Sequence, residues 1–392
     1  MPGPAIPMPR KAVLLALLLG GWALPASQSF ADGATPSQAK PFNRAIILSG
    51  MGLNFVTYLG LYDAALDAGV EPDLVIGASG GAVAAAIIAA FPDRQDRRRF
   101  LESEQFYRFF EAIEVEHPRP ASQIGHMVRL ASGRLGIPPL TPNLETRPLI
   151  AYPEQIRQSL DVPFPSRPDT PAIVLIAGRL DYPPGCAVRL SRKLFTETWF
   201  TDPATAGHLR GIPSPVGDRF RWGGVNRDTA VVDHVSITQA MRASISEPLL
   251  LEPAVIDNDR YIGGGIDAWP VEMADRLAEE TVVPRPNDLT FTIRLLFDGV
   301  FRYGSRRRWK EVERLPCAIT VDMADYRDRL RDATFWFQIR KNPQGGGATS
   351  PRKILSRYQV VFDGPKDHED FLAKTRIQYE YGYERGQESF AR

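Results

Sequence analysis

The sequence predicts an α/β fold built around a mostly parallel sheet. Two short apolar runs, residues 45–49 and 74–76, are each followed by a segment with helix-forming character. A third apolar run, residues 171–177, has the length and composition of another buried strand. When strands and helices alternate along a chain, the helices serve as crossovers, and crossovers of this kind connect parallel strands.

The first strand and the first helix are separated by a turn that contains two glycines. Residues 45–49 form the predicted strand, and residues 50–52 supply the flexible turn directly behind it. Apolar residues at helical spacing between positions 59 and 66 predict the helix. Gly69 is placed where a residue in the left-handed conformation would end that helix.

The later elements are predicted from composition and capping signals. We interpret residues 93–171 as helices and a cap over the sheet, and Ser236 opens a helix with a capping-box signature that ends before Pro248. Further along, charged helices alternate with strand-like runs such as residues 289–296. Residues 344–348 are predicted to form a mobile loop.

The start of the chain has the features of an export signal. Arg10 and Lys11 precede an apolar stretch over residues 12–24, which is shorter than the roughly 20 residues that span a bilayer as a helix. We therefore expect a cleaved signal peptide over residues 1–31 and a leader over residues 32–41. The mature protein is expected to be periplasmic or secreted.

The charge balance argues against a nucleic-acid partner. Removal of residues 1–31 takes away two of the 47 basic residues and none of the 46 acidic ones, which leaves a net charge of −1. Nucleic-acid binders usually carry a basic surface. A nucleotide is not expected either, because Gly50 and Gly52 begin a dinucleotide fingerprint whose third glycine is absent.

No metal or other cofactor is expected. Cys186, His208 and His234 do not have the spacing of metal ligands. Cys186 and Cys317 would meet an oxidising compartment after export, and the sequence leaves open whether they pair. The basic run at residues 306–310 contains an aromatic residue, so it fits either a contact with anionic lipid headgroups or a solvated helix face.

The residues most indicative of catalysis are Gly77, Ser79 and Gly81. They form a Gly-x-Ser-x-Gly pattern between a short apolar strand and an Ala-rich helix. This context forces a serine into a strained turn and exposes its hydroxyl at the N-terminus of a helix, where amides and the helix dipole favour negative charge. A structural glycine-rich turn is the alternative interpretation.

An ordinary α/β-hydrolase would share this turn but differs in what surrounds it. Such an enzyme needs several strands before the serine and a histidine well after it. Only one strand-helix-strand passage fits between the predicted cleavage site and Ser79. His368 comes late enough in the chain, but its charged neighbours are typical of solvated surface.

Three separated segments together resemble the patatin-like phospholipases, in which an aspartate activates the serine. Residues 48–54 look like the glycine-rich oxyanion loop of that family, and residues 77–81 look like its nucleophile turn. The third segment runs from residues 241–248 to residues 261–266. The order and spacing match, and the resemblance covers roughly residues 45–277.

This resemblance implies a patatin-like three-layer sandwich with a mostly parallel central sheet. It places the family domain at residues 42–280, and we expect residues 281–392 to form a C-terminal α+β extension packed on that core. It also implies an acyl lipid substrate at a membrane or micelle interface, with an oxyanion hole formed by Gly50, Met51 and Gly52. Protein partners are not predicted.

The aspartate that the resemblance implies as general base is missing from this chain. Where the family has an aspartate after a tyrosine-containing strand, this chain has Gly263. Asp267 and Asp259 lie four residues to either side, and three consecutive glycines would let the chain fold back toward Ser79. We predict Asp267 as a tentative base, with Asp259 and the absence of any base as open alternatives.

Two functions follow from these observations. The first is a serine acyl hydrolase that acts on ester bonds of phospholipids, lysolipids or neutral acyl esters through Ser79. The second is a patatin-fold protein that binds lipid or acts as a scaffold and is catalytically impaired, because Gly263 stands in place of the usual aspartate.

Overall fold

The computed structural model describes the chain in segments from Ala39 onwards. The described residues are 39–116, 148–151, 160, 162–165, 170–184, 193–286, 291–341 and 358–391. The predicted signal peptide, most of the leader, Cys186 and the predicted loop at residues 344–348 lie outside these ranges. The compact unit that carries the fold begins at Lys40.

A single large sheet organises the described part of the chain. Its strands follow the order β5 (Ala230–Val232), β4 (Phe195–Phe200), β3 (Ala172–Leu180), β2 (Leu74–Ala78), β1 (Phe42–Leu48), β8 (Ala278–Pro286) and β9 (Ile319–Met323). Neighbouring strands are parallel throughout this path except β3 and β4, which are antiparallel. The prediction of an α/β fold with a mostly parallel sheet is confirmed.

Helices cover the sheet on both faces. Those within the described ranges are α1 (Val56–Asp67), α2 (Gly80–Ala90), α3 (Arg94–Leu101), α4 (Glu104–Glu111), α5 (Pro203–Leu209), α6 (Pro215–Arg219), α7 (Ile237–Ile245), α8 (Val271–Leu277), α9 (Phe291–Val300), α10 (Ser305–Glu313), α11 (Tyr326–Arg329) and α12 (His368–Phe390). None of the helices in the described part is both long and apolar enough to cross a membrane.

The alternation of side chains along β1 shows the three layers directly. Ile46 and Leu48 belong to a core that includes residues of α1 and α2, whereas Ala45 and Ile47 belong to a second core with residues of α8 and α9. Successive side chains of a strand point to opposite faces of its sheet. All four residues are at most 2% exposed, as expected for a parallel strand that is covered on both faces.

A short hairpin brings two distant parts of the chain together beside β3. The hairpin consists of β6 (Ala254–Ile256) and β7 (Asp259–Ile262), and β7 pairs with the end of β3. On the same side of β3, β2 ends with Ala78 opposite Ile176, while β7 ends with Ile262 opposite Gly178. The residues that follow the two strands, Ser79 and Gly263, therefore meet beside β3.

The C-terminal part of the chain completes the sheet. The predicted boundary after residue 280 falls inside β8, which pairs with the central strand β1, and β9 extends the sheet beyond it. Helix α12 lies against α1 so closely that a side chain on Gly60 would clash with the backbone of Tyr379. Residues after 280 are therefore part of the same architecture.

The strand-like interpretation of residues 289–296 is wrong, because residues 291–300 form α9. Ile293, Leu296, Phe297 and Val300 all contribute to one core, and they recur at the spacing of one helical face. The β-branched and aromatic residues of this run suggested a strand, but burial of that helical face prevails over local propensity. A separate two-stranded sheet, β10 (Trp336–Lys341) with β11 (Tyr358–Asp363), follows later.

Candidate active site

Ser79 stands in a strained turn between β2 and α2. Its backbone angles are φ 53° and ψ −123°, a conformation that residues with a side chain rarely adopt. A side chain at Gly81 would clash with the carbonyl of Leu48, which explains the small residue two positions after the serine. Ser79 itself is only partly buried. Ser79 thus lies in a sharp strand-to-helix turn, and its role as a nucleophile remains a prediction.

A buried hydroxyl on α7 fixes the amide of Ser79. Ser244 Oγ accepts a hydrogen bond from the Ser79 amide at 3.0 Å and donates one to the Ile176 carbonyl at 2.6 Å. The Ser244 side chain thus links the serine turn to β3. This contact joins sequence positions 165 residues apart, so local sequence patterns do not indicate it.

The glycine-containing loop after β1 lies next to the serine. A methyl carbon placed on Gly50 would lie 3.5 Å from Ser79 Cβ and 3.9 Å from Ser79 Oγ. Gly52 has a positive φ of 56°, and its backbone contacts the start of α2 at Gly80. Met51, between the two loop glycines, is buried.

The three glycines after β7 lie on the other side of the serine turn. A Cβ atom on Gly264 would lie 2.6 Å from the Ser79 amide nitrogen. A Cβ atom on Gly263 would lie 2.6 Å and 2.7 Å from the two carboxylate oxygens of Glu247. The space that a side chain at position 263 would need is therefore filled by the carboxylate of Glu247.

Glu247 is the carboxylate that the structure brings to Ser79. Its Oε1 accepts a hydrogen bond from the Gly265 amide at 3.2 Å. Its Oε2 is buried and accepts no hydrogen bond of standard geometry within the described ranges, although the residue as a whole is partly exposed. Burial raises the pKa of Glu247 to about 7, and hydrogen bonding from the Ser79 hydroxyl and the Gly265 amide limits that rise.

The Ser79 hydroxyl lowers the pKa of Glu247 by favouring the charged form of the carboxylate. Oε2 has no hydrogen-bond partner of standard geometry among the described residues. Catalytic hydrogen bonds are often long before substrate binds and shorten in the reacting complex. The arrangement has the parts needed for nucleophilic attack: a partly exposed hydroxyl, a nearby carboxylate and a loop of backbone amides.

Comparison with known proteins connects this arrangement to a family. The sequence profile described as Patatin-like phospholipase matches residues 46–275, which is more than half of the chain. The chain belongs to the patatin-like phospholipase family. The matched span begins within β1 and ends within α8. It contains Ser79, Glu247 and the three glycines at residues 263–265, called the glycine segment below.

A solved structure similar to this patatin-like protein is the crystal structure of VipD from Legionella pneumophila. The two are 13% identical with a TM-score of 0.27, and the match covers 64% of this chain and 50% of that chain. This chain thus matches half the length of the VipD chain. Comparison with curated proteins gave no match.

The prediction that Asp267 is the base of this patatin-like protein is not supported. Both carboxylate oxygens of Asp267 contact Arg308 Nη2, at 3.1 Å and 3.3 Å, and one also accepts a hydrogen bond from the Trp269 amide. Burial raises the pKa of Asp267, and the Arg308 charge opposes that rise. The cation explains why this fully buried carboxylate is tolerated, and none of these bonds reaches Ser79.

Other candidate residues lie away from the serine. Asp259 is exposed and lies 3.8 Å from Arg179. His368 is half-buried, and its Nδ1 lies 3.6 Å from Glu104. Cys317 forms no disulfide with any residue that the structure describes, and Cys186 lies outside those residues. Among the described residues, no group of three or more His, Cys, Asp or Glu side chains is arranged to hold a metal ion.

The basic run at residues 306–310 does not form one solvated face. Arg306 and Arg307 are exposed on α10, whereas Arg308 is completely buried. Besides Asp267, the Arg308 guanidinium contacts Glu272 Oε2 at 2.6 Å. This run is therefore partly structural, because its central residue neutralises two carboxylates in the interior.

Residues beyond the matched span support the glycine segment. Tyr303 Oη donates a hydrogen bond to the Gly265 carbonyl at 2.9 Å, and the Phe297 ring packs against Gly265. On the opposite side of the serine, the Trp336 ring packs against Gly52, and Thr334 donates a hydrogen bond to Asn54. The C-terminal part of the chain thus fixes both loops around Ser79.

Proposed function

We propose that this patatin-like protein is a serine acyl hydrolase that cleaves ester bonds of lipids, with Ser79 as its nucleophile. The proposal depends mainly on the strained backbone of Ser79, which lies at the start of α2 and faces Gly50. Strained conformations of this kind are maintained where the surrounding structure enforces them, commonly at reactive residues. The substrate class includes phospholipids, lysolipids and neutral acyl esters.

The proposed reaction has two stages, acylation of Ser79 and hydrolysis of the acyl-Ser79 ester. Ser79 Oγ attacks the ester carbonyl carbon, and its proton passes to a neighbouring carboxylate and then to the leaving alcohol. The oxygen of the tetrahedral intermediate is stabilised by backbone amides of Gly50, Met51 and Gly52 and by the N-terminus of α2. Water then attacks the acyl-Ser79 ester, so the products are an alcohol and a fatty acid.

The surroundings of the loop support an apolar substrate. Trp336 is a large apolar residue that remains 44% exposed, and its ring contacts Gly52 of the proposed oxyanion loop. Tryptophan is well suited to the boundary between water and lipid, because its ring is amphipathic. An acyl chain or a lipid surface could therefore contact the protein next to the reacting atoms.

The rival function is a lipid-binding or scaffold protein without turnover. The observation that favours it is the replacement of the family aspartate by Gly263. A fluorophosphonate probe distinguishes the two functions, because it reacts only with an activated serine. We expect the probe to label Ser79, with no label in Ser79→Ala and an unchanged label in a matched variant at a distant serine, Ser389→Ala. A folded parent protein without label at Ser79 would end the hydrolase proposal.

We also propose that the protein is exported through a cleaved signal peptide. The support is the pair Arg10 and Lys11 before the apolar stretch at residues 12–24. Expression of the full chain in a bacterium, followed by fractionation and N-terminal sequencing, should give a periplasmic or secreted protein that starts near Asp32. A cytoplasmic protein with an intact N-terminus would contradict export.

A further inference from the structure

We propose that Glu247 is the general base of Ser79, supplied from the end of α7 in place of the aspartate that the chain lacks at position 263. This inference rests on the proposed hydrolase function and names the carboxylate that completes it. Glu247 lies 16 residues before Gly263, on a different segment of the chain.

Positions 247 and 263 compete for one volume. A side chain on Gly263 would place its Cβ atom within 2.7 Å of both Glu247 oxygens, so the carboxylate would have to leave its present position to admit a larger residue there. The glycine at 263 thus provides the space in which the Glu247 carboxylate lies. The Glu247 carboxylate thus lies in the space that the family's aspartate side chain would need at position 263.

The backbone on both sides of Glu247 is fixed. The Glu247 amide donates to the Ile245 carbonyl at 2.6 Å, and the Glu247 carbonyl accepts from the Leu250 amide at 3.0 Å. The Gly263 amide donates a hydrogen bond at 2.8 Å to the carbonyl of Ser246, the residue before Glu247. These bonds tie the end of α7 to the end of β7, so the longer glutamate side chain starts from a rigid position.

The two carboxylate oxygens have different surroundings. Oε1 is bound by the Gly265 amide, whereas Oε2 is buried without a hydrogen bond of standard geometry from the described residues. An unsatisfied buried oxygen costs stability, so its presence calls for an explanation beyond structure. A Cβ atom on Gly263 would meet the Glu247 carboxylate, and one on the adjacent Gly264 would meet the Ser79 amide, so Glu247 and Ser79 contact neighbouring glycines. The Ser79 hydroxyl lowers the pKa of Glu247, and Oε2 has free lone pairs to accept its proton.

Among the residues that the structure describes, no cation pairs with Glu247 in the way that Arg308 pairs with Asp267. The glycine segment contributes the Gly265 amide, and the serine turn contributes the hydroxyl. The Tyr303 phenol donates to the Gly265 carbonyl, and burial raises its pKa well above the ordinary value, so it stays neutral. On α7, Arg242 is directed at Ser246 and at the Glu252 carbonyl.

The proton transfer balances in both half-reactions. During acylation, Oε2 takes the proton of Ser79 Oγ as the new C–O bond forms, and Glu247 then protonates the departing alcohol. During deacylation, Glu247 takes a proton from the attacking water and returns it to Ser79 Oγ when the acyl-serine bond breaks. The carboxylate is restored at the end of each cycle.

The test compares Glu247→Gln with a matched variant, Glu252→Gln, which removes an exposed carboxylate five residues further on. We expect Glu247→Gln to lower both the fluorophosphonate labelling rate and kcat for a short-chain nitrophenyl ester by about 10²- to 10⁴-fold, the usual contribution of a general base. Glu252→Gln should behave like the parent. Circular dichroism verifies the fold of each variant.

The pH profile supplies a readout that a structural role would not give. The parent should gain activity as the pH rises through about 7, where Glu247 becomes charged, and then level off. The Glu247→Gln variant should lose this ionisation from its residual activity. An unchanged ionisation in the variant would overturn the assignment.

An exchange variant tests the shared volume. Glu247→Ala combined with Gly263→Asp restores the usual position of the carboxylate, and we expect it to label at least about tenfold faster than Glu247→Ala alone, a part of what a general base contributes. No gain would overturn the claim that both positions serve one site. If the parent labels and Glu247→Gln labels within about twofold of it, Glu247 is not the base. A folded parent that does not label overturns the hydrolase function as well.

Discussion

Asp267 and Glu247 are two carboxylates on either side of the glycines at residues 263–265, and they differ in their counterions. Asp267 shares its oxygens with Arg308, whereas Glu247 has the Gly265 amide and the Ser79 hydroxyl. A cation offsets the cost of burying a carboxylate, but a carboxylate without one takes up a proton near neutral pH. The comparison indicates that the ion-paired group supports the structure and the unneutralised group is suited to proton transfer.

The largest effect on stability is expected from Arg308→Met. Removal of the guanidinium leaves the fully buried Asp267 without its counterion, while Glu272 keeps Arg219 at 3.4 Å, and the loss should cost about 3–5 kcal/mol of unfolding free energy. Urea unfolding monitored by circular dichroism measures it, with the exposed Arg306→Met as the matched control. A variant as stable as the parent would contradict the structural role of the ion pair between Asp267 and Arg308.

Glu247→Gln should have the opposite effect and stabilise the protein at alkaline pH. The folded-state pKa of about 7 lies above the ordinary value of 4.5, so the parent loses stability as the pH rises from 4.5 through 7. Glutamine does not titrate, and the variant should therefore be more stable by about 3 kcal/mol above pH 8, with little difference at pH 4. Thermal unfolding at both pH values measures this, and equal differences at the two would contradict it.

Ser244→Ala should produce a smaller loss that affects both stability and reactivity. The variant leaves the Ser79 amide and the Ile176 carbonyl without their shared partner, which should cost about 1–3 kcal/mol. Fluorophosphonate labelling should also become slower, because the serine turn loses its link to β3. Labelling at the parental rate would show that the backbone strain is maintained without Ser244.

Trp336→Ala should have the smallest effect on stability, about 1 kcal/mol, because 44% of the residue is already exposed. If the indole contacts acyl chains, hydrolysis of a long-chain ester should fall several-fold while hydrolysis of a short-chain ester remains unchanged. The ratio of the two rates is the measurement. An equal decrease for both esters would point to a disturbed Gly52 loop instead.

The fold and the nucleophile turn were predictable because their signals are local. Strand, glycine turn and helix follow each other within a few dozen residues around Gly50 and again around Ser79. The proposed base was not predictable in this way, because Glu247 lies beside Gly263 through a contact between distant segments, the hydrogen bond from the Gly263 amide to the Ser246 carbonyl. Sequence proximity to Gly263 favoured Asp267, but Arg308, 41 residues later in the chain, binds that carboxylate.

A signal for Glu247 was nevertheless present. Gly263 replaces a residue whose side chain would occupy space beside the serine, and close packing requires that something else fill this volume. Of the segments that resemble the family, the one ending in Pro248 carries a carboxylate directly before that proline. An unexpected glycine at a catalytic position is thus a reason to examine neighbouring segments for a larger side chain.

The pairing of β1 with β8 has a practical consequence for protein production. A truncated gene product limited to the family-matched span, residues 46–275, would keep Ser79 and Glu247 but would lack β8 entirely. The central strand would then present a bare edge of unpaired backbone groups, which invites association with other chains. Expression of the intact chain, including the strand that closes this edge, is therefore the sound choice for biochemical work.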